Sequence, residues 1–261
     1  MKKPQKFMSK VDAQKWNYIS PLDQHLINEN YNDFYNIIQN SGAKIVELQL
    51  DNEEEELCDS IFTHDPSLVL NEGAIILNMG KELRKKETIL HKKLYGAINI
   101  PVVGRIINDG TVEGGDCLWI NKNTLIVGES YRTNKAGIDQ LYEILKLLNI
   151  QLIPIQLPKN DNKDSCFHLM SIISMLDYDL AIVSEKLLPL DLKNILKKNG
   201  VKLLNIPEDE YFNSNTLAVN VLVLSPRNLV TIDGYPKTLD LLTDSNCNLN
   251  LFSGSELCIK A

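Results

Sequence analysis

The sequence predicts an α/β fold assembled from repeated hairpin, helix and strand units, set out like the blades of a propeller. Three observations predict it. Pairs of short β runs joined by tight turns recur with a period of about 50 residues. Helical segments of amphipathic pattern, followed by one more β run, occupy the intervals. No Pro-, Gly- or Ser-rich linker divides the 261 residues, so the repeats read as one domain, 1–261.

Taken in order, a helix is expected over 31–39, stopped near Gly42 and followed by a strand over 44–50. The acidic run 51–56 reads as a solvated loop. The first hairpin pairs 67–70 with 74–77 around Asn71-Glu72-Gly73, and a helix spans 84–95. The second pairs 117–120 with 124–127 around Asn121-Lys122-Asn123. Its helix, 135–148, puts Ile138, Leu141, Ile144, Leu145 and Leu148 on one face before a strand at 151–156. The third pairs 168–176 with 180–183 around Asp177-Tyr178-Asp179, then a helix over 187–198 stops at Gly200 before a strand at 201–205. The fourth pairs 218–224 with 229–232 around Ser225-Pro226-Arg227-Asn228, with a helix at 236–242 and a strand at 248–252. Five helices, each with a following strand, stand against four hairpins, so one unit is incomplete.

Composition narrows the function. A net charge of −7 leaves no basic stripe to neutralise phosphates, which argues against a nucleic-acid partner and is compatible with a cationic substrate. No apolar run reaches the length of a membrane span, and no apolar region follows Lys2 and Lys3 as a secretory signal would require. The five cysteines (58, 117, 166, 247 and 258) are odd in number and without C-x-x-C spacing, which excludes a zinc ribbon and argues against a disulfide framework. A reducing cytoplasm fits them.

The chemistry concentrates in Glu113-Gly114-Gly115-Asp116. Two glycines let the backbone come close to another group, and a carboxylate on each side suits a cation. An ordinary Gly-Gly loop has the same letters. Four other segments join it: Phe62 to Leu70 with Asp65-Pro66, Gly80 to Glu87 with Arg84, Gly128 to Asn134 with Arg132, and Cys166 to Leu169 with His168.

In that order these segments resemble the motifs of the pentein superfamily of guanidine-modifying enzymes. It comprises the amidinotransferases, arginine deiminases and dimethylarginine dimethylaminohydrolases. The resemblance covers nearly the whole chain and implies a pentein α/β-propeller of five pseudo-symmetric ββαβ-type units, with no hairpin legible for the last. It implies hydrolysis of a C–N bond in a guanidino amino acid, arginine or a methylated arginine, without metal or organic cofactor. An amidinotransferase and a catalytically silent pentein acting as a binding module are the alternatives. Asp65 and Glu113 would grip the guanidinium, with Asp116 also on the substrate side. His168 would protonate the departing amine and later activate water. Arg84 and Arg132 would hold an α-carboxylate. All are expected around one cavity. Plainer readings exist for each: a structural histidine, a solvated helix face for Arg84, a loop contact for Arg132, a turn for Asp65-Pro66.

Two departures from the family pattern stand out. Met170 occupies a position where deiminases and amidinotransferases carry an aspartate; the dimethylarginine hydrolases lack it too. The nucleophilic cysteine has two registers. With Ser253-Gly254-Ser255 as the glycine turn, Cys258 is the nucleophile. With Ser255-Glu256-Leu257 aligned on the family's Ser-Glu-aliphatic segment, Cys258 precedes the nucleophile position, is only a buried thiol, and the 261 residues are expected to have little hydrolase activity.

Overall fold

Short apolar runs flanking two-residue turns give four hairpins, and each gains a third, parallel strand after a helix. The computed structural model describes residues 1–49, 56–159 and 167–260. Most of the acidic run and Cys166 lie outside the described residues.

The chain forms two compact units, one of residues 1–5 and 46–169, the other of residues 6–45 and from 170 onward. In the first, Ser67–Leu70 pairs antiparallel with Gly73–Ile76, which pairs parallel with Val102–Arg105. Cys117–Asn121 and Thr124–Glu129 form the next hairpin, with Gln151–Gln156 parallel to its second strand. Between them, Lys135–Leu147 is helical because Asn134 caps it, its side chain accepting from the Gly137 N–H. That helix buries Ile138, Leu141 and Leu145 against Leu125 and Val127, in a core that also takes Leu68, Ile75 and Val112. The apolar helix face was readable at 3.6-residue spacing and is the face that is buried.

The second unit repeats the plan. Ile173–Asp177 and Leu180–Val183 are joined by Lys202–Asn205, and Leu222–Ser225 and Asn228–Ile232 by Asn248–Phe252. Leu190–Lys198 and Pro236–Asp244 supply helices. Its core holds Leu176, Ile182, Tyr211, Val219, Leu229 and Leu242.

Several expectations need correction. The first long helix runs Gln24–Asn40 rather than 31–39, because the Asp23 carboxylate accepts from the His25 and Leu26 amides and starts it seven residues earlier. Its partner is the π-helical turn Ser255–Lys260, where the Glu256 amide donates to Asn30 Oδ1 at 2.9 Å. No strand forms at 44–49. The Val46 carbonyl accepts from the Met1 amino group (2.7 Å) and the Leu48 amide donates to the Met1 carbonyl (2.8 Å), a contact too short to seed a ladder. His168 does not open a strand: the 3-10 turn Leu169–Ser171 intervenes before Ile173. Arg84 likewise sits in a 3-10 turn, Glu82–Arg84, ahead of the helix Glu87–Ala97. Val102–Arg105 and the helix Glu208–Asn213 carried no signal strong enough to place them. Among the described residues no helix is long and apolar enough to cross a membrane.

Leu141 is fully buried, whereas Leu147 on the same helix is 84 % exposed. Leu141→Ala should cost about 2–5 kcal/mol in a urea titration, and Leu147→Ala less than about 0.5 kcal/mol.

Candidate active site

Six of the seven sequence-selected residues converge within the first unit. The organising step is a close approach of bare backbone. A Cβ on Gly114 would lie 2.3 Å from the His64 carbonyl, and one on Gly115 would lie 2.9 Å from the His168 ring and 3.2 Å from Asp65 Oδ1. Glycine alone fits both places. The contact is fastened by the Gly114 amide donating to the Asp65 carbonyl (3.0 Å) and the Gly115 amide to Asp65 Oδ1 (2.9 Å). His64 lies 3.1 Å from the Gly114 carbonyl through Nε2.

With the loop pinned, its two carboxylates fall on either side of one imidazole. Glu113 Oε2 is 3.3 Å from His168 Nε2, and Asp116 Oδ2 is 3.3 Å from Nδ1. At 3.3 Å each carboxylate forms an ion pair with the ring when the imidazole is protonated. Both carboxylates are fully buried. Glu113 Oε1 accepts from the Gly80 and Lys81 amides (2.9 and 3.1 Å) and faces Arg132 Nη1 at 3.4 Å. Burial opposes its charge, but His168 and Arg132 outweigh burial and hold the carboxyl below its ordinary range. Asp116 accepts from Ser130 Oγ (2.7 Å) and from the Leu169 amide (3.0 Å).

Asp65 faces the other way. Its Oδ2 takes a 2.7 Å bond from Arg84 Nη1, and its side chain keeps 13 % of its surface exposed. Burial disfavours the carboxylate, yet Arg84, His168 and His64 together hold the Asp65 carboxyl well below the usual range. Arg84 is spent: Nε and Nη2 donate to Glu87, and Nη2 also to the Asp59 and Phe62 carbonyls. The carboxylate expected as its partner is supplied by the protein. Glu87, a residue the motif reading left without a role, is fully enclosed, and burial outweighs Arg84 to push its carboxyl up to about 8. One guanidinium thus sits between two carboxyls, of which Asp65 carries the negative charge and Glu87 the proton at neutral pH.

Arg132 is committed on one side only. It borders a cavity of about 160 Å³ whose wall also includes Ser130, Lys159 and Phe167. Neighbouring residues missed from sequence are Asp59, ion-paired to Lys81 at 2.7 Å, and His91, whose Nδ1 lies 3.0 Å from Ser67 Oγ. Burial, with Arg84 nearby, pushes His91 down to about 4. Nothing in the local pattern marks either residue as buried and polar. Cys117 lies behind the loop with Sγ 3.8 Å from the Glu113 carbonyl, and burial beside Asp116 pushes its thiol far up. Cys258 belongs to the second unit. Its amide donates to the Gly254 carbonyl at 3.0 Å, and burial pushes its thiol up to about 12.

The chain resembles known proteins in sequence and in fold. The arginine deiminase family model matches residues 27–232. The chain is 28 % identical over 224 residues to the N(G),N(G)-dimethylarginine dimethylaminohydrolase of Pseudomonas aeruginosa, covering 86 % of this chain and 78 % of that protein. An arginine deiminase of Streptococcus equi subsp. zooepidemicus is 32 % identical over 124 residues, 45 % of this chain and 30 % of that enzyme. Among solved structures, the Pseudomonas hydrolase complexed with citrulline superposes with a TM-score of 0.80 at 24 % identity, over 100 % of this chain and 93 % of that one. The N-terminal domain of a cyanobacterial arginine dihydrolase reaches 0.82 at 16 % identity, over 99 % and 91 %. These likenesses establish the pentein fold.

The proton on Glu87 makes stability depend on pH. The folded carboxyl keeps its proton to about pH 8, while the unfolded one loses it near 4.5. Its contribution is therefore complete below about 4.5 and is lost as pH rises toward 8. Glu87→Gln should flatten the decline of the urea midpoint across that window, and an unchanged slope would show that Arg84 keeps Glu87 ionised instead.

Proposed function

The chain belongs to the arginine deiminase family, and from that premise we propose that it hydrolyses a C–N bond of a guanidino amino acid, arginine or a methylated arginine, through a covalent cysteine intermediate. The observation that carries this reading is the meeting of Asp65, Glu113 and His168 around the Gly114-Gly115 backbone. Asp65 is ionised and partly open, so it can accept N–H bonds from a planar cation. Glu113 holds the imidazole that passes a proton to the departing nitrogen and takes one from the water that follows.

The α-carboxylate of such a substrate falls to Arg132 rather than Arg84. Arg84 is buried and already paired to Asp65 and Glu87, whereas Arg132 borders a cavity that also presents Lys159. The attacking group is a thiolate, because only a strong nucleophile adds to a resonance-stabilised guanidinium carbon. Burial raises the Cys258 thiol to about 12, which counts against a resting thiolate there and favours the register in which Cys258 precedes the nucleophile position. The likeness to relatives that act on dimethylarginine or hold citrulline supports the substrate class. Five cysteines without C-x-x-C spacing suit a reducing cytoplasm.

Citrulline and N-methylated arginine should raise the melting temperature, and Asp65→Asn should abolish that protection without unfolding the chain. Equal protection of Asp65→Asn would sink the assignment. Any citrulline formation from arginine or a methylated arginine should survive Cys258→Ser; its loss would instead establish Ser253-Gly254-Ser255 as the turn that presents the nucleophile.

A further inference from the structure

Asp116 entered the reading as a substrate-side carboxylate, and its surroundings leave it no substrate to touch. It is fully buried, one oxygen accepts from the Leu169 amide, and the other is shared between Ser130 Oγ and His168 Nδ1. Leu169 follows His168 directly, so one carboxylate holds both the ring and the main chain that carries it. The Ser130 hydroxyl is in turn the acceptor for the Arg132 and Thr133 amides, at 3.0 and 3.1 Å. Asp116 thereby joins the segment bearing the imidazole to the loop bearing Arg132.

An ionised carboxylate only accepts hydrogen bonds, and a neutral imidazole has one donor nitrogen. With Glu113 on Nε2 and Asp116 on Nδ1, both contacts are attractive only when both nitrogens carry protons. Among the described residues, Asp65, across Gly115, and Cys117, behind the loop, also act on the ring; Arg132 stands beyond Glu113 and is paired to it. We propose that Asp116 is a positioning residue for the reaction. It holds His168 as an imidazolium through Nδ1, leaving the Nε2 proton, on the Glu113 side, as the one delivered to the departing nitrogen. The balance is simple: Nε2–H breaks as the leaving nitrogen gains its proton, the ring becomes neutral with Nδ1–H kept on Asp116, and the resolving water returns a proton to Nε2. This role rests on the proposed hydrolysis for its purpose but not for its detection.

The test is histidine ¹⁵N NMR on the full chain, with His168 assigned by His168→Gln. In the wild type both ring nitrogens should give the protonated signature at pH 7; a single-tautomer neutral ring at that pH would overturn the proposal without any variant. In Asp116→Asn the amide keeps the shape and the Leu169 contact but offers Nδ1 no charge, and the doubly protonated form should be lost at least one pH unit lower than in the wild type. An unmoved His168 transition would reduce Asp116 to a structural role. Thermal protection by citrulline, read on the same samples, separates the two claims. Protection retained within a few-fold in Asp116→Asn is expected of a positioning residue, and its loss with an unchanged ring signature would restore Asp116 to the substrate side. Failure of the wild type to respond to citrulline counts against the hydrolase reading alone.

Discussion

The site depends on one steric permission, the contact of the Gly114-Gly115 backbone with residues 64 and 65. Any side chain there would push Asp65, His64 or the His168 ring aside. Because none is present, two amides reach the Asp65 carboxylate and carbonyl, and the loop is locked in one orientation. Everything else about the loop follows from that orientation. Glu113 and Asp116, three residues apart, bracket the imidazole instead of pointing to solvent. A loop of this sequence free in water would keep its carboxylates hydrated and apart, since bringing like charges together in a buried place is costly unless cations and amides answer them.

Those answers are distributed unevenly, and the unevenness has consequences. Glu113 is met by two backbone amides, an arginine and the imidazole, so it stays charged despite complete burial. Asp65 and Glu87 must share Arg84, and one charge cannot neutralise two. The more open carboxyl keeps its charge and the enclosed one takes a proton, as the relative cost of burying each anion dictates. Arg84 therefore acts through Asp65. It keeps a partly open carboxylate ionised, and holds it in place through Nη1.

Much of this was legible in the chain before any coordinates, and what was not has identifiable physical causes. The hairpins were readable because short apolar runs and turn residues act locally: the strands at 67, 117, 124 and 180 begin where expected. Helix ends set by capping were misplaced where the cap lies outside the apolar stripe; the first long helix starts at Gln24 because of Asp23, within a polar stretch with little periodicity. The run from His168 to Leu176 is mostly apolar, broken only by Ser171 and Ser174 after the histidine, and that pattern does not separate a tight 3-10 turn from a strand. Site residues were found by motif, but their partners were not. Glu87 follows three lysines or arginines within four positions and looks like part of a solvated face, yet it is enclosed because the Arg84 side chain folds back onto it.

The placement of these residues along the chain explains how distant positions come to one chemistry. Asp65 stands two residues before the strand beginning at Ser67, Glu113 and Asp116 just before the strand beginning at Cys117, and His168 shortly before the one beginning at Ile173. Arg84 and Arg132 both follow the second strand of a hairpin, after Ile76 and after Glu129. The first two repeats thus donate from the same two places, the entry of the first strand and the exit of the second, and the third donates from its entry alone. Those places lie at the same end of an antiparallel pair, because the entry of one strand is beside the exit of its partner. The opposite end, where the turn sits, is left to Asn71-Glu72 and Lys122-Asn123, which carry none of the site. A repeated hairpin therefore needs no special device to gather charged side chains. Residues spaced by about one repeat fall on the same edge by geometry, and only the close backbone contact at Gly114-Gly115 has to be specified to turn that edge into a site.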